Sequence, residues 1–164
     1  PRNLRERAHE NGWGFEDNFR RGKITGSITT RAQAVEPDRV DIVRRFLRSY
    51  GSPLEDYAQD FITISQNTNL DGTLLVAISG AESTFGKHQC GQYNAWGFGN
   101  PCWDFTSYQD AIQSVANTIA TSPTYKRYQK THDLADLASV YNGADVRKWE
   151  ATVVYFQEKL RGFR

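Results

Sequence analysis

The chain has 164 residues, a length typical of one domain and long enough to bury about two thirds of its unfolded surface without a metal or disulfide. Its 38% hydrophobic and 24% charged residues are typical of a folded globular protein and exclude a disordered chain. A net charge of +1 gives no reason to predict a nucleic-acid partner, and no apolar run approaches the ~20 residues that span a bilayer.

Residues 1–35 differ from the rest of the chain because they are rich in arginine and have no helical apolar stripe. We predict a basic N-terminal tail or linker here, in preference to a separate module, with residues 24–28 suited to a short strand. The sequence contains no Met and begins at Pro1. We therefore expect an initiator residue, with a targeting segment or domain, to have preceded it.

From residue 36 to residue 164 the sequence predicts an all-α domain of about six helices around one core. Apolar residues recur at spacings of three and four, which places them on one face of each helix. Each predicted helix begins at a residue or motif that favours a helix start. These starts are Pro37, Ser52 (a capping box with Glu55), Asp71, Ser107, Asp133 and Asp145.

Residues 90–105 lie between the third and fourth predicted helices and have no helical period. A loop of this length within a compact domain is usually functional or disordered. Its two cysteines, Cys90 and Cys102, favour one disulfide across a short Gly-rich segment, the alternative being two unrelated buried thiols. A disulfide predicts an oxidising, extracytoplasmic setting.

Glu82 is the most informative residue of the third helix. On a helical wheel it falls at about 80°, between Ile78 at about 40° and Leu75 at about 100°, so that a carboxylate projects from an apolar face. Desolvation raises the pKa of a carboxyl group, and a neutral carboxylic acid near a cleft can donate a proton. The alternative is a structural ion pair with Arg44 or Arg45.

The segment 93–99 (Tyr-Asn-Ala-Trp-Gly-Phe-Gly) combines aromatic rings, an amide and glycines. Such a mixture suits a sugar, whose apolar ring faces are edged by hydroxyl and amide groups. The alternative is a structural Ω-loop that packs its aromatic rings on the core. Tyr141 and Asn142, just past the fifth predicted helix, form a second polar-aromatic pair, with core and turn roles as alternatives.

Three segments together resemble the lysozyme-like superfamily, in particular bacterial lytic transglycosylases and glucosaminidase-type autolysins. They are residues 77–86 (Ala-Ile-Ser-Gly-Ala-Glu-Ser-Thr-Phe-Gly), residues 93–99 and residues 140–142 (Val-Tyr-Asn). The resemblance covers roughly residues 35–160 and implies a compact helical domain with a Gly- and aromatic-rich cleft loop. The chain lacks the Gly-Leu-Met-Gln run usual in lytic transglycosylases, which favours the glucosaminidase-like branch.

The resemblance implies a role for individual residues. Glu82 matches the catalytic acid of the family, and Ser83 matches the serine that follows it and helps to orient substrate or the Glu. Asn94, Trp96 and Gly97 match the cleft loop. Tyr93, Asn94, Trp96, Tyr141 and Asn142 would bind the sugars.

The implied reaction is cleavage of the β-1,4 linkage between N-acetylated amino sugars, and peptidoglycan glycan strands are the predicted partner. Glycosidases normally use two carboxylates, and the candidates for a second one here are Asp104, Asp110 and Glu150. Without one, a 2-acetamido or 6-hydroxyl group of the substrate would replace the nucleophile, and the product would be either a 1,6-anhydro or a reducing sugar.

Two alternatives to this function remain. One is a non-catalytic cell-wall glycan-binding or assembly module on the same fold, and the other is cleavage of chitin. No cofactor or metal is predicted, because the three histidines, His9, His88 and His132, are scattered along the chain.

Overall fold

A computed structural model describes the backbone of residues 29–164 and the side chains from Asp38 onward. This part of the chain is all-helical, with seven α-helices, two 3₁₀ turns and no strand. The helices are α1 (Thr29–Ser49), α2 (Ala58–Thr68), α3 (Leu74–Ser83), α4 (Tyr108–Thr121), α5 (Lys126–Thr131), α6 (Leu134–Tyr141) and α7 (Val146–Arg161). The 3₁₀ turns are Glu55–Tyr57 and Pro123–Tyr125. Within the described part, no helix is both long enough and apolar enough to cross a membrane.

Helix α3 is the centre of the domain. Its residues 74–80 and Ser83 are buried, so that neighbouring elements cover it on nearly all sides. A helix that is apolar all round is expected in this position. Its partly exposed residues are Ala81 and Glu82, both in the last turn.

The contact between the C-terminal helix α7 and α3 is more extensive than the contact between any other two described helices. At the start of α3, Thr73 Oγ1 accepts a hydrogen bond from Gln157 at 3.0 Å, and Asp71 pairs with Arg161 at 2.8 Å. At the end of α3, Glu82 contacts Trp149 near the start of α7. The two helices are therefore antiparallel, and α7 covers α3 along its whole length.

Several predicted helix starts are confirmed. The side chains of Ser107, Asp133 and Asp145 accept hydrogen bonds from backbone N–H groups in the first turns of α4, α6 and α7, at 3.0, 3.0 and 3.2 Å. The apolar faces predicted for these helices include residues that are buried, among them Ile112 in α4 and Val153 in α7.

Other predicted starts are wrong. Helix α1 begins at Thr29, so Pro37 lies inside it and the predicted boundary between residues 35 and 36 falls within a helix. The strand suggested for residues 24–28 and the remainder of the predicted tail lie outside the described residues. The Ser52 motif leads into the 3₁₀ turn, and α2 begins only at Ala58. Ser52 Oγ accepts from the N–H of Leu54 at 3.0 Å and donates to the carbonyl of Phe85 at 2.7 Å.

The third predicted start is displaced by two residues, and one helix was not predicted. Asp71 Oδ1 accepts from the N–H of Thr73 at 2.8 Å, and Thr73 is the residue that immediately precedes α3. The short helix α5 was missed because Tyr128 is its one buried residue, which leaves no apolar periodicity to detect.

Candidate active site

The helix that carries Glu82 ends in an uncommon backbone turn. Thr84, Phe85 and Gly86 follow one another with φ of 53°, 59° and 82°, and only the third is a glycine. L-residues adopt this left-handed region at a cost of roughly 1–2 kcal/mol each. The turn is fixed by hydrogen bonds from the N–H groups of Thr84 to Gly80 and of Phe85 to Ser79, at 3.2 and 2.9 Å. It directs the chain away from α3 immediately after Glu82.

Glu82 is half-buried, and its hydrogen-bond partner is an indole rather than an arginine. Oε1 accepts a hydrogen bond from Nε1 of Trp149 at 2.5 Å. Among the described side chains, no ion pair includes Glu82, and Arg45 pairs with Asp41 at 2.7 Å instead. The described contacts of Glu82 therefore include no ion pair with Arg44 or Arg45, which was the predicted alternative.

Burial raises the pKa of Glu82 above its ordinary value, and the hydrogen bond from Trp149 opposes part of that rise. The effect of burial is larger than that of the hydrogen bond, because desolvation penalises the charged carboxylate. Within the described contacts, no cation offsets this penalty. The neutral acid is thus favoured more than it would be at the protein surface.

The hydrogen bond also favours one oxygen of the neutral acid as the site of the proton. An indole N–H can only donate, and the carbonyl oxygen of a carboxylic acid is a better acceptor than its hydroxyl oxygen. The proton of neutral Glu82 is therefore favoured on Oε2. This oxygen lies against Gly97, since a Cβ atom added there would be 2.7 Å from Oε2. The absence of a side chain at position 97 leaves room for the acid.

The aromatic loop is tied to α3 through buried polar groups. Ser83 Oγ contacts the carbonyl of Ala95 at 2.7 Å and accepts from the N–H of Gly86 at 2.8 Å. Trp96 Nε1 donates to the carbonyl of Leu75 at 2.9 Å. Asn94 donates to the carbonyls of Phe98 and Trp103, both at 2.8 Å, and accepts from the N–H of Phe98 at 3.0 Å.

This geometry gives Ser83, Asn94 and Trp96 a scaffold role. We had predicted that Asn94 and Trp96 bind the sugars and that Ser83 orients the substrate or Glu82. All three are buried, with Asn94 and Trp96 at 0% exposure, and their polar atoms are engaged with the backbone. They hold the loop at the end of α3 and do not present free polar groups to a ligand. The packing of this loop on the core agrees with the Ω-loop alternative for these residues.

Tyr141 lies close enough to Glu82 to respond to its charge, while its role in sugar binding stays a prediction. Its hydroxyl donates to the carbonyl of Trp96 at 2.7 Å, and its ring stacks on Trp149 with centroids 5.1 Å apart. Burial and the nearby negative charge of Glu82 raise the pKa of Tyr141 well above its ordinary value. The phenol is therefore neutral, and it connects the loop with the Trp149 ring.

The two remaining predicted sugar-binding residues lie at the edge of this arrangement. The ring of Tyr93 packs edge-on against Tyr108, at the start of α4, with centroids 5.1 Å apart. Asn142 is half-buried, and its N–H donates to Ala138 at the end of α6. Sugar binding by these two residues stays a prediction.

Two of the three candidates for a second catalytic carboxylate form hydrogen bonds within the fold, Asp104 in the loop and Asp110 at the start of α4. Asp104 Oδ1 accepts from the N–H of Gln92 at 2.7 Å. Asp110 accepts from the N–H and hydroxyl of Thr106 at 3.0 and 2.9 Å, and these bonds lower its pKa. Glu150, next to Trp149 on α7, is half-buried.

The cysteine prediction is confirmed. Cys90 and Cys102 form a disulfide that closes the loop, with Cα atoms 6.0 Å apart. No cluster of three or more metal-ligating residues occurs within the described part of the chain. A separate cavity of about 160 Å³ lies between α2, α4 and α5, and its lining includes Leu70, Tyr128 and His132 but not Glu82.

We did not predict the role of Trp149 from the sequence. It lies far from Glu82 in sequence, and no local pattern predicts the contact. No protein-family model, curated protein or solved structure matches this chain. The relation to the lysozyme-like superfamily therefore stays a prediction based on the motifs.

Proposed function

We propose that this protein is a lysozyme-like glycosidase that cleaves the β-1,4 linkage between N-acetylated amino sugars of peptidoglycan, with Glu82 as general acid and base. The observation that carries the proposal is the setting of Glu82. It is a half-buried acid with a raised pKa at the end of a buried helix, and it accepts a hydrogen bond from an indole rather than pairing with a cation.

In the first step Glu82 gives the proton on Oε2 to the glycosidic oxygen, and the bond between that oxygen and the anomeric carbon breaks. The 2-acetamido or 6-hydroxyl oxygen of the sugar bonds to the anomeric carbon and supplies the electron pair that this carbon loses. Where the 6-hydroxyl attacks directly, the Glu82 carboxylate removes its proton in the second step and a 1,6-anhydro sugar results. Where the acetamido oxygen attacks, the Glu82 carboxylate in the second step removes a proton from the 6-hydroxyl group or from water, whose oxygen bonds to the anomeric carbon as the bond to the acetamido oxygen breaks; the product is an anhydro or a reducing sugar, respectively. Trp149 stabilises the charged carboxylate between the two steps.

The hydrogen bonds of Asp104 and Asp110 within the fold support this single-carboxylate route, because both carboxylates already accept from nearby backbone N–H groups. The disulfide supports an extracytoplasmic location, where peptidoglycan is found.

The direct test compares wild type and Glu82→Gln on purified sacculi. The substitution keeps the shape of the side chain and removes the acid. We expect release of muropeptides by wild type alone, and mass spectrometry separates anhydro from reducing ends because they differ by one water. The matched control is Glu158→Gln on the exposed face of α7, which should retain activity. Equal release by Glu82→Gln would reject the proposal.

The second candidate function is a glycan-binding or assembly module on the same fold. The same engagement of Asp104 and Asp110 favours it, since it removes two of the three candidates for a second catalytic carboxylate. This function predicts binding to sacculi without turnover. Muropeptide release that depends on Glu82 would exclude it.

A further inference from the structure

Trp103 is the most exposed of the large aromatic residues in the described part of the chain. Half of its surface, 51%, is open to solvent, although it lies within a loop whose other large aromatic residues pack inward. Tyr155 on α7 is exposed to a similar extent, 50%, but it lies outside the loop. Tryptophan is enriched at interfaces, because its large apolar ring also carries a polar N–H group.

The structure holds the Trp103 ring in place from several sides. The backbone N–H of Trp103 donates to the carbonyl of Phe98 at 2.9 Å, and the backbone carbonyl of Trp103 accepts from the buried Asn94 at 2.8 Å. The indole stands edge-on to the ring of Phe98, with centroids 5.4 Å apart. The preceding residue, Cys102, is bonded to Cys90. A ring that is ordered before binding loses little conformational entropy when a ligand stacks on it.

Two glycines of the loop limit how far this ring can lie from the acid. A Cβ atom at Gly97 would lie 2.7 Å from Glu82 Oε2, and one at Gly99 would lie 2.6 Å from Trp103 Nε1. The carboxyl group and the indole therefore lie at opposite ends of the three-residue segment 97–99. Even if this segment were fully extended, the two groups would be at most roughly 16 Å apart.

A continuous series of aromatic contacts joins the same two points. The ring of Phe98 lies between Trp103 and Tyr141, with centroid distances of 5.4 and 5.9 Å. Tyr141 in turn stacks on Trp149, which donates to Glu82. Trp103 is the exposed end of this series, so a ligand that extends from Glu82 along the loop would meet an indole.

We propose that Trp103 is a stacking platform for a sugar ring of the glycan strand, away from the bond that Glu82 cleaves. This inference rests on the proposed function. The C–H face of a pyranose matches the flat apolar indole, and the hydroxyl and acetamido groups at its edge stay solvated. Trp103 thus makes cleavage favour long strands over short oligomers, because only long strands reach both points.

The experiment measures binding by calorimetry, with soluble glycan strands freed from their peptides as the probe. All variants are made in the Glu82→Gln background, so that no turnover occurs. We expect Trp103→Ala to weaken binding about tenfold, from the loss of one aromatic stacking contact, and Trp103→Phe to weaken it less. The matched control is Tyr155→Ala, which removes an equally exposed ring and should bind like the parent. Thermal unfolding verifies that each variant is folded.

The outcomes separate the two proposals. Strands that bind Trp103→Ala as tightly as the parent would overturn the platform and leave the proposed function intact. Equal losses for Trp103→Ala and Tyr155→Ala would also overturn it, since binding would then depend on exposed aromatic surface in general. No binding by the folded parent would overturn the platform, and cleavage of sacculi by wild type then decides the proposed function separately.

Discussion

The hydrogen bond between Trp149 and Glu82 should set the pH range of activity. Trp149→Phe keeps a ring to stack on Tyr141 and removes the indole donor that lies 2.5 Å from Oε1. Hydrogen bonds to charged groups contribute about 1.5–3 kcal/mol, and the half-exposed position of Glu82 favours the lower end. A loss of about 1.4 kcal/mol corresponds to one pH unit.

The sign of the effect follows from which form of Glu82 the donor stabilises. Trp149 stabilises the carboxylate, so its removal raises the pKa of Glu82 further. Because cleavage needs the protonated acid, the rate falls as pH rises through this pKa. The alkaline limb of kcat/KM should therefore move upward by about one pH unit in Trp149→Phe.

The assay is muropeptide release from sacculi across a pH series, with the folded fraction of each variant measured at every pH. The control is Tyr155→Phe on the same helix, which alters an exposed ring and should leave the limb in place. An alkaline limb in Trp149→Phe that coincides with wild type, or that moves to lower pH, would refute the reasoning.

Three further predictions concern the loop and the acid. Gly97→Ala should lose activity and about 1–2 kcal/mol of stability, because its φ is +59° and the new Cβ would lie 2.7 Å from Oε2 of Glu82. The control Gly143→Ala, whose new Cβ would have its nearest neighbour 3.7 Å away, should retain activity and stability in the same assays. Reduction of the Cys90–Cys102 bond, which spans 12 residues, should lower the free energy of unfolding in urea by up to about 3 kcal/mol, and a double serine variant should be insensitive to reductant. Glu82→Gln should gain stability relative to wild type as pH rises above the ordinary range of a glutamate. The raised pKa of Glu82 means that the folded wild type binds the proton more tightly than the unfolded chain, so the stability of wild type falls as pH rises through the folded pKa. A difference in unfolding free energy that stays constant with pH would contradict this last prediction.

Local signals in the sequence predicted the helical architecture well. Ser107, Asp133 and Asp145 cap helices because short polar side chains reach the free N–H groups one turn ahead. The prediction from Pro37 was wrong, because α1 continues through that residue from Thr29. Local preference for a helix start does not determine where a helix begins when neighbouring residues can extend it.

The importance of Glu82 was predicted, but the reasoning from a helical wheel was incomplete. Nearly all of α3 is buried, so the helix has no single apolar face on which a carboxylate would be out of place. Glu82 is partly exposed because it lies in the last turn, next to Gly97. The Ω-loop alternative anticipated the scaffold role of Asn94 and Trp96, but residue type alone did not decide between the two, since the residue types that bind sugars also bind backbone carbonyls in a buried loop.

The acid and its donor are 67 positions apart, and the donor belongs to the last helix. During synthesis the chain emerges from its N-terminus, so α3 leaves the ribosome well before α7 does. Until α7 docks, Glu82 lacks both the Trp149 donor and the burial that this helix provides. The proton affinity of this one side chain is therefore a property of the completed tertiary structure, and its titration reports whether the last helix is in place.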